Sequence, residues 1–143
     1  MPLTDPVLTG PNGGRTVEYG SGSSAELKIA GDESGGAWAV VDWHVRHGDE
    51  PPIHNHTRED ETVYVVEGSI TAYVGDQTID VEAGSYAALP KGIPHGLTVR
   101  GESAHLLIGL QPAGAEYFFV PRDESDSDPG RFGLEIVSDL PAS

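Results

Sequence analysis

Hydrophobic residues along this chain recur at every second position rather than every third or fourth. Between residues 37 and 46, Ala39, Val41, Trp43 and Val45 fall on one face and Val40, Asp42, His44 and Arg46 on the other, which is the period of a half-buried strand. The first set is assigned to the interior. The same rhythm predicts short strands over 15–19 and 25–29, on either side of a break at 20–24. Further on it predicts 62–67 and 69–74 as a pair turning at Gly68, then 78–81 after a Gly75–Asp76 turn of the kind that joins hairpin strands. Strands 85–89 and 95–100 flank a turn at Pro90–Gly92, 104–110 reads as a buried strand, and 132–137 as a final strand that docks on the rest. Strand follows strand at short spacing with no helical period, so the expected fold is all-β, a jelly roll or small barrel.

The chain has 143 residues, of which 37% are apolar. That supports one domain with a real core rather than two. The expected organisation is an N-terminal arm over 1–23, a barrel over 24–112 and a C-terminal extension over 113–143 packing on the barrel. The arm carries three prolines before Asn12 and could pair with a second copy, so a homodimer is expected. In 112–119 the cluster Tyr117, Phe118 and Phe119 reads as an apolar plug on the outside of the barrel rather than a wall of its pocket. The acidic stretch 122–130 reads as a mobile link.

Charge narrows the partners. Twenty-three acids against eight bases give a formal net charge of -15, which disfavours nucleic acid and anionic membranes. There is no cysteine, so any metal is held by nitrogen and oxygen. No apolar run reaches the ~18 residues of a membrane span, and no signal peptide is legible, so a cytoplasmic protein is expected.

The candidate chemistry lies in two places. His54 and His56 are two apart in a segment that Pro51 and Pro52 keep from being helical. On a strand, side chains two apart point the same way from Cα atoms ~6.6 Å apart, so two imidazoles can reach one ion. Glu61 stands at the start of the next strand and can supply a carboxylate oxygen, as could its neighbours Glu59 and Asp60. Further along, the Pro90–Gly92 turn can aim His95 back into the sheet. His44, His47 and His105 have no partner at ligand spacing and are read as surface or structural residues.

These clusters resemble the two signature motifs of the cupin superfamily. Gly48, His54, His56, Glu61 and Gly68 fit the first motif. Gly84, Pro90, Gly92 and His95 fit the second, which departs from the pattern only at Val99, where an asparagine is usual. The resemblance implies a double-stranded β-helix of the RmlC-like jelly-roll type and a single divalent transition metal ion, Fe, Ni, Mn, Cu, Co or Zn, held by His54, His56, Glu61 and His95. Only Glu61, among the three adjacent acids, keeps the motif's spacing to Gly68.

Three imidazoles and one carboxylate leave coordination positions open, which suits catalysis. The expected pocket wall is Trp43, Val63, Val65, Ile70, Ala72, Tyr86, Ala88 and Leu97, apolar enough for a small, partly aromatic substrate bearing an oxygen. The small single-domain form, together with 110–119, looks like the quercetin-dioxygenase-like group. That likeness implies a metal-dependent dioxygenase acting on a hydroxylated aromatic or flavonol-like substrate with dioxygen, in which Glu61 is the catalytic base. The alternatives are a non-redox cyclase or isomerase of polyketide-type substrates, and a ligand-binding cupin without catalysis.

Overall fold

The computed structural model describes residues 3–142, so Met1 and Pro2 of the expected arm and Ser143 of the expected extension lie outside the described residues. Nine strands follow in order: β1 (Thr16–Tyr19), β2 (Ser23–Ile29), β3 (Ala39–Arg46), β4 (Ile53–His56), β5 (Asp60–Val74), β6 (Gln77–Glu82), β7 (Tyr86–Leu89), β8 (His95–Gln111) and β9 (Leu134–Ser138). All pairings between them are antiparallel. One path runs β1-β2-β3-β8-β4-β9, while β5 pairs with β6, β7 and β8. The architecture is all-β and of the jelly-roll type.

Alternation decides what the sheet encloses. Ala39, Val41 and Val45 of β3 are fully buried and Trp43 nearly so, and they share one core with Leu106, Ile108 and Leu110 of β8 and Val63, Val65 and Ile70 of β5. Burying each of these larger side chains contributes roughly 1.5–3 kcal/mol. The expected departure from the second motif is absorbed here: Val99 is buried, its N–H donates to Glu50 Oε2 at 2.8 Å, and its carbonyl lies 3.0 Å from His47 Nδ1.

Two breaks between predicted strands are kinks instead. Residues 62–67 and 69–74 belong to one strand, β5, whose register against β8 shifts on either side of Glu67. Gly68 takes φ 81° at that bulge, and a Cβ there would meet the Ser103 carbonyl oxygen at 2.8 Å. Likewise 95–100 and 104–110 are the two halves of β8, bent at Gly101 with φ 90°. A glycine between two alternating runs reads the same in sequence whether the chain reverses or bulges, because both need positive φ.

The C-terminal region is ordered. After a four-residue helix, α1 (Glu116–Phe119), the stretch expected as a mobile link forms two 3-10 turns, Glu124–Ser127 and Pro129–Phe132. Asp126 is fully buried and accepts from Arg122 Nε at 2.9 Å and Nη2 at 3.1 Å. The acidic composition therefore hides one carboxylate that turns inward onto its own cation. The last strand begins at Leu134, since Phe132 closes the second 3-10 turn, and it docks against β4 with His56 opposite Leu134.

Candidate metal centre

β4 is short and lies between β8 and β9, and its burial alternates: His54 and His56 point inward while Ile53 and Asn55 do not. His95, the first residue of β8, is the Cα partner of His54. Glu61 sits one residue into β5 and points inward with Val63 and Val65. All four side chains are buried, at 8%, 1%, 4% and 3% exposure for His54, His56, Glu61 and His95, deep enough that any polar atom without a partner is costly.

Their rings converge. The His54–His56, His54–His95 and His56–His95 centroids are 5.0, 4.7 and 5.1 Å apart. Glu61 Oε1 lies 3.2 Å from His56 Nε2 and 3.7 Å from His95 Nε2. Two ligands held ~2.1 Å from one ion in tetrahedral geometry are ~3.4 Å apart, so both contacts have the separation of ligands sharing a metal. Among the described residues, His56 Nε2, Glu61 Oε1 and both ring nitrogens of His95 are buried without a hydrogen-bond partner. Buried polar atoms are nearly always paired. Three of these, His56 Nε2, Glu61 Oε1 and His95 Nε2, lie together, and with one ligand atom from each of the four residues within 4.8 Å of the others the group fits a metal ion of the imidazole- and carboxylate-binding class.

A supporting shell orients the donors. His54 Nδ1 is 2.8 Å from the Pro52 carbonyl and His56 Nδ1 is 2.5 Å from Glu59 Oε1. Each contact occupies Nδ1 and leaves Nε2 for the centre. Glu59, considered from the sequence only as a rival to Glu61, is itself buried. Its position three residues after His56 was the signal that could have found it.

The electrostatics follow from this packing. Burial drives the His54 pKa down to about 4, helped by the charges of His95 and His56 against the opposing pull of the Pro52 carbonyl and Glu61. Burial also disfavours charge on His56, but contact with Glu59 and Glu61 outweighs it and raises that pKa to about 9. Glu61 is pushed up by burial and pulled further down by His56 and His95, so it stays ionised far below the usual carboxylate range.

A cavity of about 390 Å³ opens onto the four residues. Trp43, Leu97, Phe118, Phe119, Pro51 and Tyr19 form much of its wall. Trp43 and Leu97 are where the sequence places them. Val63, Val65, Ile70 and Ala72 are core residues rather than cavity wall. Tyr86 and Ala88 point outward, Tyr86 being 67% exposed, because Glu61 pairs with Leu89 and the inner face of β7 is therefore Ala87 and Leu89. Phe118 and Phe119 are not an outside plug: α1 turns them into the cavity, with Phe119 edge-on to Trp43 at 5.6 Å between centroids. Tyr19, on a strand within the expected arm, reaches the same wall, where its hydroxyl is 2.5 Å from Trp43 Nε1.

Comparison with known proteins agrees with this fold. The Cupin_2 family, described as a cupin domain, matches residues 41–108. Among solved structures, an RmlC-like cupin from Shewanella frigidimarina NCIMB 400 superposes with a TM-score of 0.65 at 20% identity, covering 82% of this chain and 99% of that one. KdgF from Halomonas sp. gives 0.60 at 16% identity, over 68% and 86% of the two chains. The polyketide cyclase RemF from Streptomyces resistomycificus gives 0.55 at 23% identity, over 62% and 64%. No curated protein matches the sequence.

Proposed function

We propose that this chain, whose residues 41–108 match a cupin domain, is a cupin and a metal-dependent enzyme acting on a small hydroxylated aromatic substrate, as a dioxygenase. The observation that carries the reading is an apolar cavity with aromatic walls that ends on four buried, inward-facing donors, two of them wholly or partly unpartnered imidazoles. His54, His56, Glu61 and His95 would hold the ion. A transition metal bound there supplies a Lewis-acidic and redox-capable centre for an oxygen-bearing substrate and for dioxygen.

The chain's own residues do the rest. Trp43, Phe118 and Phe119 stack against a flat ring and exclude water from it. Glu61, held ionised, accepts the proton of a substrate hydroxyl brought to the inner end of the cavity. Dioxygenation places both oxygen atoms in the product, so no external reductant is required. Oxygen uptake on adding a flavonol or catechol-like compound to Fe-, Ni- or Mn-loaded protein tests this. Uptake supports the dioxygenase, and its absence with all three metals overturns it.

A second reading is a non-redox cyclase or isomerase of polyketide-type substrates, the class to which RemF belongs by name. A carboxylate kept ionised in an apolar cavity favours it, because proton transfer by Glu61 needs no oxidant. Turnover by zinc-loaded protein under nitrogen selects this reading over the first, while saturable binding without turnover selects a ligand-binding cupin. Leu8 of the N-terminal segment is 95% exposed, which supports pairing of that segment with a second copy, and sedimentation as a dimer is expected. No helix among the described residues is long and apolar enough to cross a membrane.

A further inference from the structure

A second group of donor atoms lies on the opposite face of the sheet. Along β3, Trp43 and Val45 point inward, so Asp42 and His44 point outward on the same side. On β8, Leu106 and Ala104 point inward and His105 outward. Register then sets His44 directly opposite His105, at the short cross-strand spacing that brings paired side chains together. From sequence these two histidines had no partner, because sixty residues separate them and only the β3–β8 register joins them.

The rings of His44 and His105 stack at 3.9 Å and 16°. Asp42 Oδ1 lies 2.6 Å from His105 Nε2 and 3.5 Å from His44 Nε2. One donor atom from each residue falls within 4.8 Å of the others. Separations of 2.6 and 3.5 Å bracket the ~3.0–3.4 Å expected of ligands ~2.1 Å from one ion. The side chain of His44 is 58% exposed, so core packing does not account for the stacked pair. His44 and His105 edge a depression of about 310 Å³ that Glu67 and Arg46 also line. Glu67 is the register partner of His105 on β5, making a row of His44, His105 and Glu67 across three strands.

We propose that Asp42, His44 and His105 form a second metal site, on the outer face of the sheet, for a borderline divalent ion such as zinc or copper. Two imidazoles and one carboxylate are the donor set such ions prefer. Glu67 stands where a fourth oxygen could come from, and water fills what remains. The net charge of -15 draws cations toward the surface, whereas Arg46 opposes them locally. Because its ligands project from the far side of β3 and β8, this site shares none with the cavity and does not rest on the proposed enzymatic activity. An ion held here would bridge β3 and β8.

Equilibrium dialysis of the full chain against zinc, and separately copper, followed by elemental analysis of bound metal per chain, tests the site. The readout is the difference between the wild type and His44→Gln/His105→Gln, which is independent of how many ions the barrel holds. Loss of one ion per chain in the variant is expected. Equal metal content in the two proteins overturns the proposal and leaves Asp42 and His105 as an ordinary hydrogen-bonded pair. Copper added to the wild type in excess of one equivalent, so that the barrel is filled first, provides a second measurement without mutation: amide resonances around Asp42, His44 and His105 should broaden as a group separate from those near His56. Broadening confined to the barrel site contradicts the proposal.

Discussion

His56 and Glu59 form a buried pair, with Nδ1 of the imidazole 2.5 Å from Oε1 of the carboxylate and neither side chain more than 2% exposed. The contact fixes the ring so that Nε2 faces Glu61 and the other two histidines. Removing such an outer partner typically costs a metal site ~10–100-fold in affinity. Glu59→Ala is expected to lose affinity on that scale, and Glu59→Gln, which keeps an acceptor oxygen, to lose less. Competition with a chromophoric chelator measures both.

Protons should compete with metal chiefly at His56. Its pKa is raised to about 9 from an ordinary 6.5, so binding releases a proton from the neutral-pH state. Affinity is expected to rise about tenfold per pH unit between ~7 and about 9 for one released proton. Without metal the same group stabilises the fold fully below pH 6.5, and that contribution is lost as pH rises through about 9. His54, lowered to about 4, acts in the other direction: its contribution is full above 6.5 and lost as pH falls toward 4. The metal-free chain should therefore show greatest stability near pH 6.5 as far as these two groups decide it, read as urea midpoints across pH 4–10.

Glu61 is assigned two tasks, and Glu61→Gln separates them. The amide can still offer an oxygen to an ion but cannot accept a proton. Metal affinity is expected to fall modestly and kcat by roughly 10²–10⁴, the range of a lost general base. A variant that keeps both metal and turnover removes Glu61 from the chemistry.

Phe119 tests the cavity. It is half-buried and meets Trp43 edge-on, so Phe119→Ala should cost less stability than the ~3–5 kcal/mol of a fully buried aromatic. Its effect on catalysis should be a rise in KM of roughly 10–100-fold with little change in kcat, as expected when a wall that binds substrate and transition state alike is removed. Steady-state kinetics with the substrate found by the oxygen-uptake screen measures it.

Much of this was legible because alternation and spacing are local properties. The period of two over Ala39–Arg46 set the inner face of β3, and the spacing of His54, His56, Glu61 and His95 marked four residues that the fold brings together. What was not legible depended on register. Tyr86 faces outward because Glu61 pairs with Leu89, and His44 meets His105 only across β3 and β8. Gly68 reads as a turn until the strand is seen to continue through it. Composition misled at 122–130, since polarity there suggests solvent while Asp126 turns inward to Arg122. Clustered aromatics at 117–119 carry no direction in sequence, and the short α1 helix is what aims Phe118 and Phe119 at the cavity.

The convergence of His54, His56, Glu61 and His95 on one ion is tested most directly by anomalous diffraction from crystals grown with a transition metal. An anomalous peak inside the barrel, ~2.1 Å from one nitrogen of each histidine and from a Glu61 oxygen, is the predicted result. A fully loaded crystal with no peak there, and with the four side chains bonded instead to water, would contradict the account.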